Sequence, residues 1–305
     1  MKRPILVTGS HRSGSTWVGK VISEANDVVY VHEPFNIDYS LARYGLNLEN
    51  WFTYICKENE DIYLNPISNI FNLKSNLGTS IANARSIADL KKILRSYFLF
   101  SKSYYSRDRP LVKDPIALFS AEWISLKFSA DVVIIIRHPA AFVGSIKLKN
   151  WTFPFSHFRN QKLLMRDYLY PFEDKINRFC DEETSILDQA ILLWNITHYV
   201  ILQYQRKYKS WLFLRHEDVS IQPERSFKEI FKCLNLEFSK KVLRTINSTS
   251  NPNNSCETSK NIYEVRRNSK LNIWSWKDRL SSEEISRIRN DTYEISKHFY
   301  SDKDW

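Results

Sequence analysis

The residues with the most chemistry to offer lie close to the start of the chain, in Thr8-Gly9-Ser10-His11-Arg12-Ser13-Gly14-Ser15-Thr16-Trp17. Ser10, Ser13, Ser15 and Thr16 supply hydroxyl donors, and Arg12 supplies a permanent cation. Ile5-Leu6-Val7 ahead of them reads as a short buried strand, and Trp17, Val18, Val21 and Ile22 behind them share one face of a helix. Strand, small-residue turn and helix start make a phosphate cradle. The first N–H groups of a helix have no partner within it, and its dipole favours an anion there by about 0.3–1 kcal/mol. Three of the six glycines (Gly9, Gly14, Gly19) fall within the first 19 residues, where a backbone must turn sharply or approach a ligand. An ordinary strand-to-helix loop is the plain alternative.

A second cation ends the clearest strand. Val132-Val133-Ile134-Ile135-Ile136 is continuous and β-branched, as a strand buried on both faces should be, and it runs into Arg137-His138-Pro139. A helix then passes through Ser145 to about Lys149. Gly9 and Gly14 match the spacing of the nucleotide-binding pattern G-x-x-x-x-G-K-[ST], but Ser15 stands where that pattern needs Lys. Mg²⁺-dependent nucleotide chemistry also asks for an Asp after an apolar strand, and Arg137 occupies that place. Asp114, after Lys113 and a weak strand, is a poor metal carboxylate. Two separated cations ask instead for a ligand with two anionic groups and no obligatory metal.

Holding these groups together requires a parallel sheet. Val28-Val29-Tyr30-Val31 is a second strand ending at His32-Glu33-Pro34, so strand, helix and strand fit within about 30 residues, a βαβ unit. Ligands sit at the carboxyl edge of such sheets, and Glu33 leaves the second strand there. Residues 36–108 show no strand signal and read as a helical insertion over the sheet edge. Leu111-Val112-Lys113 is a short strand end, followed by a helix from about Ile116 to Phe128. The stretch 151–182 is aromatic and basic, and reads equally as substrate-facing or as an aromatic plug. A long helix from about Ser185 to Lys207 leads to a last strand, Trp211-Leu212-Phe213-Leu214, which ends at Arg215-His216-Glu217-Asp218. Pro223 opens the next helix. Residues 247–262, rich in Asn and Ser, read as exposed loop. Ser281-Ser282-Glu283-Glu284 opens a terminal helix. The expected fold is α/β: a three-layer, P-loop-like arrangement with a central parallel sheet flanked by helices, helical insertions at 36–108 and 151–182, and one domain over 1–305.

The formal net charge of +10 and pI of about 9.3 favour anionic partners. No Lys/Arg block exceeds two or three residues, which counts against a non-enzymatic nucleic-acid-binding protein. That reading and a Mg²⁺-dependent P-loop kinase or NTPase are the two alternatives. No apolar run reaches about 18 residues, so no membrane span is expected. The four cysteines lack C-x-x-C spacing, which argues against zinc or a disulfide framework. Without a signal-peptide pattern, the expected location is the cytoplasm.

These motifs resemble those of the sulfotransferases that use 3′-phosphoadenosine 5′-phosphosulfate, of bacterial or glycan-directed type. Arg12-Ser13-Gly14-Ser15-Thr16-Trp17 resembles the family's 5′-phosphosulfate loop in its Arg form. Arg137 and Ser145, eight residues apart with Pro139 between them, resemble its 3′-phosphate motif. Leu214-Arg215-His216-Glu217-Asp218 with Pro223 is a third match, His216 standing where the family often has Tyr. Trp276 to Glu284 resembles the C-terminal helix entry of glycan-directed members.

The resemblance implies transfer of a sulfonyl group to a hydroxyl acceptor, a glycan or small molecule, with 3′-phosphoadenosine 5′-phosphate as product and neither metal nor nucleic-acid partner. It implies nucleotide binding by Arg12, Ser13, Gly14, Ser15, Thr16, Trp17, Arg137 and Ser145, with Trp17 stacked on adenine. Arg12 would stabilise charge on the leaving phosphate. Glu33, in a Glu-Pro like that of several glycan-directed members, is the candidate base, a role worth about 10²–10⁴-fold in rate. Its structural alternative is an ion pair with Arg12 or Lys113. His32 is the rival base, turned the other way from Glu33 by strand alternation. Lys113 resembles the Lys of a Lys-Asp-Pro in bacterial relatives and reads as substrate-facing or as a surface lysine. Arg266 and Arg267 read as closing over the 3′-phosphate or as a solvated basic loop. His11, His138 and Asp114 read as local structure.

Overall fold

A computed structural model describes residues 2–74, 77–82, 86–106, 108–251, 253–254 and 268–305. Arg266 and Arg267 lie outside the described residues, as do positions 252 and 255–262 of the Asn/Ser-rich stretch.

Strand β1 (Ile5–Gly9) leads through the hydroxyl-rich loop into α1 (Ser15–Ile22), and β2 (Val28–His32) follows. Four helices come next: α2 (Ser40–Tyr44), α3 (Glu60–Phe71), α4 (Leu77–Ala82) and α5 (Ile87–Ser106). Then come β3 (Arg109–Lys113), a 3-10 turn (Pro115–Ser120), α6 (Ala121–Phe128), β4 (Asp131–Ile136) and α7 (Pro139–Lys149). Short helices α8 (Ser156–Arg159), α9 (Lys162–Leu164) and α10 (Glu173–Asp181) precede the long α11 (Ile186–Lys207) and β5 (Leu212–Arg215). The chain closes with α12 (His216–Ile221), α13 (Pro223–Cys233), α14 (Lys240–Thr249), α15 (Ser269–Asn272) and α16 (Ser282–Ser296).

The five strands form one parallel sheet in the order β2-β3-β1-β4-β5. β1 is central, so the loop after it opens where β3 and β4 diverge, at the carboxyl edge where parallel sheets take ligands. Alternation splits the strands between two cores. Ile5, Val7, Leu111, Val133 and Ile135 pack with residues of α1, α13 and α14, while Leu6, Val112, Val132, Ile134 and Ile136 face α6, α7 and α11. Burial on both faces explains the unbroken Val132–Ile136 run. These are the expected three layers. The last helix starts on a reciprocal capping box between Ser281 and Glu284.

Three local expectations are corrected. β3 is a full strand between β1 and β2, carried by apolar Leu111 and Val112 buried on opposite faces. The helix expected from Ile116 begins as a 3-10 turn, because the Asp114 carboxylate accepts from Ile116 N (2.9 Å) and Pro115 occupies its first turn. Residues 247–249 are the end of α14 rather than loop, held by buried Thr249.

Candidate active site

The loop after β1 is shaped by its glycines. Gly9 has φ +144°, and a Cβ there would come within 2.3 Å of the Ile135 carbonyl oxygen. Gly14 caps α1 with φ +91° and is pressed against the His216 ring. Of the amides from Ser13 to Trp17, that of Ser13 donates to Ser10 O (3.2 Å) and that of Trp17 to Gly14 O (3.0 Å). The amides of Gly14, Ser15 and Thr16 make no such bond among the described residues. The hydroxyls of Ser10 and Ser13 are buried without a hydrogen-bond partner. Buried polar groups are normally satisfied, so these unmet donors fit an anion held in the loop.

Arg12 sits in this loop at φ +63°, a left-handed conformation that costs a non-glycine residue about 1–3 kcal/mol. The turn sends its guanidinium across to α7, where Nε donates to Ser145 Oγ at 2.9 Å. Arg137 stands at the end of β4, buried, its Nε 3.7 Å from Glu217 Oε1. Glu217 is fixed in turn by the His138 N–H (3.1 Å) and the Tyr300 hydroxyl (3.0 Å). Sequence reasoning left Glu217 without a role. Its place straight after the β5 edge, like Arg137 after β4, was the available signal.

Glu33 also has positive φ, +43°. This interrupts the extended backbone there. The two side chains come close, His32 Nε2 lying 3.8 Å from Glu33 Oε2, although only Glu33 lines the cavity described below. Oε1 of Glu33 pairs with Lys113, and Oε2 accepts from the Tyr39 hydroxyl (3.3 Å) and Asn36 Nδ2 (3.5 Å). Burial alone would raise the Glu33 carboxyl, but Lys113 and His32 hold it below the usual carboxylate range. Lys113 is fully buried, its stem packed against Gly19, so both the surface and the substrate-facing readings of it are corrected. The β3 end tucks it under α1, where it serves Glu33. Asp114 is buried beside them and accepts from Phe35 N (2.6 Å) as well as Ile116 N, tying the Glu33 turn to β3.

One cavity of about 660 Å³ gathers these groups. Arg12, Gly14, Ser15, Thr16, Trp17, Glu33, Arg137 and Ser145 all line it. Ser13 and His32 do not. Trp17 donates from Nε1 to Thr249 Oγ1 (2.9 Å) and meets His216 and Phe227 edge-on. From the two expected substrate-facing insertions, only Asn36, Asp38, Tyr39, Trp51 and Phe52, and then Trp151 to Pro154, reach the cavity among the described residues. The rest of 151–182 is largely the aromatic plug, with Phe155 and Phe158 buried in the core. His11, expected to be local structure, lines the cavity too; its position beside Arg12 was the signal. His138 is local structure, stacked on Trp276. Arg279 lines the cavity without having been singled out.

Among solved structures, the fold is similar to that of the sulfotransferase domain from the curacin biosynthetic pathway, at 13% identity over 96% of this chain and 98% of that one, with a TM-score of 0.52. It is also similar to the sulfotransferase domain of the olefin synthase from Synechococcus PCC 7002, at 14% identity over 99% and 97%, with a TM-score of 0.52. At such identities the likeness is one of fold, extending over nearly the whole of each chain. No protein-family model and no curated protein matches the sequence.

Proposed function

We propose that the protein is a sulfotransferase, one domain over 1–305, acting in the cytoplasm without a metal. It moves a sulfonyl group from 3′-phosphoadenosine 5′-phosphosulfate to a carbohydrate hydroxyl. The observation that carries this reading is the hydrogen bond from Arg12 to Ser145, which joins the loop motif to the strand-end motif on the wall of one cavity. The likeness in fold to two sulfotransferase domains supports it.

The nucleotide, when bound, supplies the sulfonyl group. The Gly14, Ser15 and Thr16 amides hold its 5′ end, and Arg12 offers fixed positive charge where negative charge builds during transfer. Arg137 and Ser145 hold the 3′-phosphate. Ser145 accepts from Arg12, so its own O–H remains to donate. Trp17 offers its ring to the adenine. Glu33, kept ionised by Lys113, takes the acceptor proton, and Tyr39 and Asn36 fix its direction.

A thermal-shift panel tests the reading. Stabilisation by 3′-phosphoadenosine 5′-phosphate without metal is expected, about 2.7 kcal/mol at a ligand concentration 100 times Kd. Mg·ATP should do little, and Arg137→Ala should abolish the effect. Preference for Mg·ATP would point to an NTPase instead. Glu33→Gln should keep nucleotide binding and lose turnover; unchanged turnover removes Glu33 as the base.

A further inference from the structure

The longest helix of the 36–108 insertion, α5 (Ile87–Ser106), sends no described residue into the cavity. One face of it, with Ile93 and Phe100, is buried against the protein. A second face is apolar too, and it meets solvent. Ile87, Leu94, Phe98 and Tyr105 are 75%, 43%, 68% and 83% exposed. At 3.6 residues per turn these four lie within about 40° of one another around the helix, in a stripe about 27 Å long. Single exposed apolar side chains are ordinary, but a row of them along one helix marks a surface made to meet something other than water. The helix has two apolar faces, and the described residues cover only one of them.

Charge says what fits the stripe. Lys91, Arg95 and Lys102 are exposed along one flank of it. The whole helix carries four basic residues (Lys91, Lys92, Arg95, Lys102) and one acidic residue, Asp89, on a chain whose net charge is +10. Long cationic side chains can lay their stems along an apolar surface and still hold their heads among phosphates. At the C-terminal end Tyr104 and Tyr105 are both exposed and meet edge-on at 5.7 Å. Such rings, apolar with a polar tip, favour the boundary between water and hydrocarbon. An apolar stripe with a basic flank and terminal tyrosines suits a helix lying along an anionic bilayer. A second copy of the chain fits less well. In an antiparallel pair the two basic flanks would lie side by side, where like charges repel.

We propose that α5 docks the protein onto an anionic lipid surface, with Ile87, Leu94, Phe98 and Tyr105 entering the interface and Lys91, Arg95 and Lys102 pairing with lipid phosphates. No helix among the described residues is long and apolar enough to cross a membrane, and α5 lies in the plane of the surface. Docking needs no nucleotide, so it stands or falls apart from the sulfotransferase reading.

Co-sedimentation of the full chain with vesicles tests it. The protein should bind vesicles of equal parts phosphatidylcholine and phosphatidylglycerol, less tightly as salt is raised, and bind phosphatidylcholine alone much more weakly. Phe98→Ser should weaken binding by about tenfold, the size of one apolar side chain kept out of the interface. Lys91→Gln and Lys102→Gln should each weaken it by about fivefold. All three side chains are exposed, so the thermal midpoint of each variant should match the wild type, which checks that they are folded. Absence of binding, equal binding to the neutral vesicles, or undiminished binding in both lysine variants overturns the proposal. Weakening in the lysine variants but not in Phe98→Ser overturns it too, since that is general attraction of a basic chain with no part for the stripe. A dimer in sedimentation velocity that Phe98→Ser dissociates, with no vesicle binding, would assign the stripe to a second copy instead.

Discussion

Nε1 of Trp194 donates to the backbone carbonyl of Arg137 at 2.9 Å, and the Arg137 N–H points to Nε2 of His198 at 3.4 Å, one turn further along the same helix. The long helix α11 thus holds both backbone groups of the cation that ends β4. His198 is stacked on Trp194 and donates from Nδ1 to its carbonyl (2.9 Å), so the two side chains act as one clamp. Trp194→Phe removes the indole donor and leaves a buried carbonyl unmet. The expected cost is about 1–3 kcal/mol from that group, with a further loss from the vacated volume. Urea denaturation reads it, and calorimetry should show weaker nucleotide binding, by less than in Arg137→Ala. Undiminished stability would mean the clamp carries no energy.

Glu217 shares Arg137 with any anion that binds there. In Glu217→Gln the His138 and Tyr300 contacts have a near-isosteric partner, but the buried guanidinium loses its counter-charge. The ligand-free protein should melt lower, since removing one member of a buried charge pair is costly. The thermal shift on adding 3′-phosphoadenosine 5′-phosphate should be larger than in the wild type, because the phosphate no longer competes with a carboxylate. A smaller shift would mean that Glu217 helps the ligand rather than opposing it.

Lys113 holds the Glu33 carboxyl down against the effect of burial. A carboxylate base works above its pKa and fails as the pH falls through it. Lys113→Met removes the cation, raises that pKa, and should move the acid limb of kcat/KM to higher pH. Thermal stability should drop as well, since Glu33 is left half-buried without its partner. An acid limb at the wild-type position would dissociate it from Glu33.

Asp114 behaves in the opposite sense. Burial, reinforced by the Glu33 charge, pushes its carboxyl up to about 7, against the pull of two backbone hydrogen bonds. The unfolded chain ionises this group near pH 4. Below that pH both states hold the proton and its full contribution to stability is present. As the pH rises toward 7 the folded state alone retains the proton, so the contribution is lost over that window. Asp114→Asn cannot ionise and should flatten this slope, although one of the two backbone donors loses its acceptor. Denaturation at pH 4.5 and pH 8 checks it: the wild-type advantage should shrink at the higher pH. An advantage that stays constant would place the titration elsewhere.

Much of the framework was legible because it is local. Strand, glycine-spaced turn and helix start are set by adjacent residues, and the eight-residue step from Arg137 to Ser145 lies along one strand end and its helix. The Val132–Ile136 run announced a central strand because only burial on both faces rewards an unbroken apolar stretch. The errors fall where distant segments meet. Lys113 looked like a substrate or surface lysine, since nothing beside it in sequence shows that α1 presents Gly19 over its stem. Alternation turned His32 away from the cavity that Glu33 lines, while the turn at Glu33 (φ +43°) still brings the two side chains within 3.8 Å.

By itself, the sequence determined an α/β sheet with one cation in the loop after β1 and another at the end of β4, since hydrogen-bonding capacity and apolar periodicity travel with neighbouring residues. Only the tertiary structure decided which side chains share the cavity. Arg12 reaches Ser145 across 133 residues, Trp17 reaches Thr249 across 232, and His11 joins the rings of Phe52 and Trp151. Those meetings follow from the strand order, which places the carboxyl ends of β2, β1, β4 and β5 along one edge, and no local preference encodes that order.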